Sequence, residues 1–211
     1  MSNLIQRIKR REVSISLTAF NIIVAVRLGL CLNFSFLNKV QSLTPYQGVK
    51  AQLFLIATGF VLVALYNLLL QILDWKWTAK FFAIVLVFIG GFSAYFVNSL
   101  GVVISPDQIQ NMVQTDPSEV SDLLSLQFFI WTLGFVVLPI IIILWVRIKP
   151  EKIGKILLFK SLNIAGSFAV IAALLFVFYV DYAAIFREHR DLKGMISPQN
   201  AVASTLSYFH K

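Results

Sequence analysis

Charge is what this chain has least of. Only 13% of its 211 residues are charged, about half the ~25% of a soluble globular domain. Hydrophobic residues make up 58%, and the mean hydropathy is +0.81. That composition excludes a water-soluble domain and predicts an integral membrane protein. Cysteine is nearly absent: Cys31 stands alone, which excludes an intrachain disulfide. The two histidines, His189 and His210, have no cluster of carboxylates or cysteine around them, so the sequence offers no metal site. A cleavable leader is not expected, because the first apolar segment is too long and lacks a small-residue cleavage site. The net charge of +8 would suit nucleic acid, but the basic residues sit in loops between apolar runs.

Those runs are what the chain does have. Five reach the roughly 20 residues that cross about 30 Å of hydrocarbon. They lie near 13–37, 51–73, 79–97, 127–146 and 156–180. The expected fold is therefore an all-α membrane protein: a five-span transmembrane domain over 1–180 with short amphipathic interfacial helices. Arg27 falls inside the first span, and the stretch 38–50, with Pro45 and Gly48, reads as a loop.

Orientation follows from lysine and arginine. Eleven of the 18 lie in the N-terminal tail, around Lys76 and Lys80, and in the 147–160 segment. Six lie on the other side, at Lys39, Lys50, Arg187, Arg190, Lys193 and Lys211. The positive-inside rule then predicts a cytoplasmic N-terminus and, after five spans, a periplasmic C-terminus. Trp75, Trp77, Trp131 and Trp145 fall at span ends, where the indole ring suits the interface. Pro139 predicts a kink in span four, and Gly90 with Gly91 predicts a close helix contact in span three.

One outer-side segment breaks the apolar pattern. The run "SPDQIQNMVQTDPSEVSDLL", 105–124, carries Asp107, Asp116, Glu119 and Asp122 and no lysine or arginine. Two helix starts are written in it. Ser105 precedes Pro106 and Gln108, and Asp116 precedes Pro117 and Glu119, each the pattern of a capping box. Two short helices are expected, with a break near Thr115–Asp116 and narrow apolar edges suited to the membrane surface. Asp116 and Glu119 are explained as caps without any ligand. Asn111 and Thr115 are not, and they stand four apart, on one helix face. An anionic surface beside lipid headgroups favours ammonium groups and disfavours bare phosphates.

At "QNMVQTDPSE" the sequence resembles the bacterial phosphoethanolamine transferases that modify lipid A, the polymyxin- and colistin-resistance enzymes among them. Gln110, Asn111, Gln114, Thr115, Asp116 and Glu119 match that family's motif in order and spacing. Upstream, Ser93, Tyr95, Phe96, Gly101 and Val103 also fit, whereas Asn98 and Leu100 stand where the family has aspartate and tyrosine. A second similar run follows span five, carried by Asp181, Tyr182, Phe186, Arg187, His189, Leu192, Ile196 and Pro198.

The resemblance implies a membrane domain followed by a periplasmic zinc hydrolase-like domain with a threonine nucleophile. That pair transfers phosphoethanolamine from phosphatidylethanolamine to lipid A, which lowers the negative charge of the Gram-negative outer membrane. Residues 181–211 would be juxtamembrane bridging helices leading to the catalytic domain, and they are too few to be that domain themselves. The chain alone is expected to be inactive, with no catalytic or metal-binding residue of its own. The resemblance further implies that Asn111, Thr115 and Glu119 contact the donor lipid, with Gln114, Asp116 and Tyr95 as contributors. The expected location is the bacterial inner membrane. Two other readings remain open: the same chemistry with a core-lipopolysaccharide or other glycan acceptor, and a small channel or transporter subunit, which Arg27 favours.

Overall fold

A computed structural model describes residues 13–114 and 125–210. Nearly all of this is helix, as a bilayer demands, because an apolar medium leaves backbone amides no partner but one another. Four single helices are long and apolar enough to cross: α3 (Val49–Leu73), α4 (Ala79–Ser99), α6 (Leu126–Trp145) and α7 (Ile153–Val177). The first apolar segment differs from the single helix expected over 13–37. Helix α1 runs from Leu17 through Cys31, the chain bends by 55°, and α2 (Phe34–Leu43) continues in a new direction. Part of the expected 38–50 loop is therefore helical.

The bend has a local cause. Asn33 sits between the two helices, 1% exposed, and its amide donates to the Leu28 carbonyl at 2.7 Å. A carbonyl that the ending helix leaves orphaned is satisfied by a side chain. Gly48, at φ 60°, then turns the chain into α3, a left-handed conformation that residues with a Cβ resist.

Helix α3 is the centre of the bundle. Over its most apolar stretch 56% is buried, against 17% for α6 and 11% for α7, whose outer faces are left to lipid. Small residues bring the helices close. A Cβ on Gly91 of α4 would stand 2.5 Å from a Val136 methyl and 3.3 Å from the Phe135 carbonyl. The close contact expected at Gly90 and Gly91 is therefore made, with α6 as one partner. Trp131 seals it by donating its indole N–H to the Gly91 carbonyl at 2.9 Å. Helix α6 widens into a π-helical turn over Thr132–Val137, just before Pro139. Arg27 of α1 points to that turn, its Nη2 2.6 Å from the Phe135 carbonyl.

At one end, β1 (Ser14–Ile15) pairs in parallel with β2 (Arg147–Ile148). Lys160 donates to the Asp74 carbonyl at 2.6 Å and lies over the Trp75 ring. The opposite end carries α2, α5 (Pro106–Gln114), α8 (Tyr179–Glu188), a 3₁₀ segment (Arg190–Met195) and α9 (Gln199–Phe209). The second apolar core lies there, built on Phe36, Phe54, Tyr182, Ile185, Leu192 and Ile196.

Candidate functional site

The expected donor site starts on α5. Ser105 caps this helix: its Oγ accepts the Gln108 amide at 3.2 Å, and its carbonyl takes the Ile109 amide at 3.0 Å. Pro106 opens the first turn, where a missing N–H costs nothing. Asp107, Asn111 and Gln114 are exposed and recur at the spacing that shares one helix face. Of the residues expected to meet the donor, Asn111 and Gln114 thus stand on the exposed side of α5. Thr115, Asp116 and Glu119 lie outside the described residues, as does the expected break near 115–116.

Tyr95 is placed differently. It is 2% exposed, with Phe128 and Trp131 of α6 edge-on to its ring at 5.1 and 6.1 Å. Its hydroxyl lies 3.4 Å from the Ser125 hydroxyl. The ring packs α4 against the start of α6.

The second run of family-like residues docks the segment after α7 onto the bundle. Asp181 accepts the Tyr46 hydroxyl at 2.8 Å; that hydrogen bond holds the Tyr46 phenol above its ordinary pKa. Tyr182 meets the Thr58 hydroxyl at 2.9 Å, and burial raises its own pKa. Phe186 stacks on Phe36, and Leu192 is wholly buried. These side chains dock α8 and the 3₁₀ segment onto α2 and α3. They do not project toward an external ligand.

Three contacts that lock this end were not legible in the sequence. Ser197 and Asn33 exchange two hydrogen bonds: Asn33 Nδ2 to the Ser197 carbonyl at 2.9 Å, and the Ser197 amide to Asn33 Oδ1 at 2.8 Å. Tyr66, from α3, donates to the same Ser197 carbonyl at 2.7 Å. Asn98, at the family's aspartate position, accepts the Ser35 amide at 2.8 Å. An asparagine flanked by Leu32 and Phe34 is the one signal that could have suggested such a clamp.

Chemically, this end can bind and position. Among the described residues no group of three or more His, Cys, Asp or Glu stands together. An exposed carboxylate and two carboxamides on α5 offer acceptors to a cationic headgroup held at the bilayer surface.

Comparison with known proteins gives this end of the molecule a context. A family model described as "Phosphoethanolamine transferase EptA/EptB" matches residues 62–211. Phosphoethanolamine transferase EptA of Escherichia coli K12 is 29% identical over 208 residues, covering 98% of this chain but 38% of the relative. Phosphatidylethanolamine transferase Mcr-1, also from Escherichia coli, is 29% identical over 83% of the chain. Among solved structures, the integral membrane lipooligosaccharide phosphoethanolamine transferase A of Neisseria meningitidis superposes with a TM-score of 0.86. It is 24% identical, over 94% of this chain and 37% of that one. The chain spans less than two fifths of the length of these relatives.

Proposed function

Because this chain belongs to the phosphoethanolamine transferase EptA/EptB family, we propose that it is the membrane part of an enzyme that carries phosphoethanolamine from phosphatidylethanolamine to lipid A. The chain anchors that enzyme in the bacterial inner membrane and holds the donor lipid on its periplasmic side. The catalytic chemistry, with zinc and a threonine nucleophile, belongs to a periplasmic domain of the whole enzyme. The modified lipid A carries less negative charge and attracts polymyxin and colistin less. Mcr-1 and Mcr-2, both named phosphatidylethanolamine transferases, support the donor. The name of the Neisseria relative supports a glycolipid acceptor.

The observation that carries the donor role is the exposed face of α5 with Asp107, Asn111 and Gln114, continuing in sequence to Thr115 and Glu119. An isolated surface ion pair contributes only about 0–1 kcal/mol. Enclosed between helix, lipid and a second domain, a charged hydrogen bond to ammonium contributes about 1.5–3 kcal/mol.

The test is transfer from labelled phosphatidylethanolamine by the full-length enzyme. On that scale Glu119→Gln should lose about tenfold or more, with Asn111→Ala and Thr115→Ala each losing less. Asp122→Asn should be nearly silent. A thermal melt separates binding from capping: Glu119→Gln that folds normally and transfers at the parent rate refutes the donor site.

A further inference from the structure

The donor reading leaves the acceptor unplaced. A cavity of about 370 Å³ opens between the start of α5, the 3₁₀ segment and α9. Its walls are held rigidly. The Ile104 backbone amide donates to the Gly194 carbonyl at 3.0 Å, the Ser204 hydroxyl to the Ile104 carbonyl at 3.1 Å, and the Asn200 side-chain Nδ2 to the Gly194 carbonyl at 3.0 Å. Gly194 permits this approach, since a Cβ there would collide with Val103 and stand 2.8 Å from the Ile104 carbonyl.

The polar groups at the mouth have a sign. Arg190 and Lys193 line the cavity and are exposed. Among the described residues neither side chain has an ion pair or hydrogen bond. Hydroxyls of Ser105 and Ser207 stand with them, and Asp191 lies on the same rim. Two unpaired cations with neighbouring hydroxyls suit a compact oxyanion with several acceptor oxygens.

The depth is set by α9. Val202, Leu206 and Phe209 are 40%, 57% and 75% exposed and follow the one-face spacing of an amphipathic helix. Ala203 and Ser207, which line the cavity, fall on a different face. A helix with such an apolar stripe lies in the interface plane, so the cavity stands at the level of lipid phosphates.

We infer that this cavity between α5 and α9 binds the phosphomonoester of a membrane lipid, the acceptor of the proposed transfer. The inference rests on the proposed reaction for the identity of the lipid, and on the cavity for the chemistry. A phosphomonoester carries nearly two charges at neutral pH, matching Arg190 and Lys193, whereas a phosphodiester carries one. The acidic 105–124 segment favours the ammonium of the donor. The two lipids are thereby sorted by charge across α5.

The test is lipid retention by the 211-residue chain in neutral phosphatidylcholine nanodiscs, read by native mass spectrometry, so that no catalysis is needed. Phosphatidic acid is the phosphomonoester probe, phosphatidylglycerol the phosphodiester probe, and inorganic phosphate the soluble competitor. The chain should retain phosphatidic acid over phosphatidylglycerol. Arg190→Gln with Lys193→Gln should cut retention by about tenfold or more. Ala203→Leu, which fills the cavity and changes no charge, should cut it as well, and Asp191→Asn should leave or raise it. Asn111→Ala should not alter it, which separates this site from the donor site. Equal retention of both lipids, displacement by millimolar inorganic phosphate, or full retention by a folded Ala203→Leu chain would each overturn the inference.

Discussion

Arg27 and Phe135 are joined by a hydrogen bond 108 residues long in sequence, from Nη2 to the backbone carbonyl at 2.6 Å. Pro139 supplies the reason. In a regular helix the amide of residue 139 would donate to Phe135, but proline has none. The helix widens into a π turn there, and Arg27 supplies a donor to the carbonyl. The guanidinium also lies 5.8 Å from the centre of the Phe135 ring. An ionisable residue inside a span, which favoured a channel or transporter, thus has a structural partner.

Arg27→Met should lower the melting temperature of the detergent-solubilised chain, because losing a charged donor to the Phe135 carbonyl costs about 1–3 kcal/mol. Removal of a partly buried charge offsets some of this. Pro139→Ala restores a backbone donor, so the double variant should recover at least about 1 kcal/mol relative to Arg27→Met. Strictly additive effects would refute the relationship. Unchanged folding with altered ion flux in liposomes would instead favour the channel reading.

Asp74 sets a pH dependence. It is wholly buried at the end of α3, and neither carboxylate oxygen has a partner among the described residues. Burial pushes its pKa up to about 7, with Lys160 pulling it back. The folded chain then holds more protons than the unfolded chain between about pH 4 and pH 7, so stability falls as pH rises through that window. Asp74→Asn should be more stable than the parent at pH 8, by at most about 4 kcal/mol, and near parity at pH 4. A parent whose melting is flat from pH 4 to pH 8 in detergent would contradict this.

Orientation is testable by cysteine labelling of intact cells. With Cys31→Ser as background, an impermeant maleimide should label a cysteine at Ser118 and spare one at Lys152 until the cells are opened. The structure supplies one constraint. Pairing of Ser14–Ile15 with Arg147–Ile148 requires those two segments to lie at the same end. Labelling at 152 with protection at 118 would invert the assignment.

The amino-acid sequence alone determined the membrane class, the approximate spans, the cap at Ser105 and the family motif that begins on α5. Each is a local property: a run of apolar residues long enough for the bilayer, or a cap three residues from its amide. Tertiary structure decided the rest. Asn33, at the bend, is held in addition by Ser197, 164 residues later, and no periodicity carries that information. Asp181, Tyr182 and Phe186 read only as part of a juxtamembrane bridging segment, and it is their partners on α2, α3 and the intervening loop that make them a docking seam. Arg27 looked functional because a buried charge is costly, and only the bundle showed which carbonyl it serves. The cavity near Gly194 was invisible for the same reason. Its cations come from the segment after α8, its hydroxyls from the starts of α5 and the end of α9, and nothing but packing brings them together.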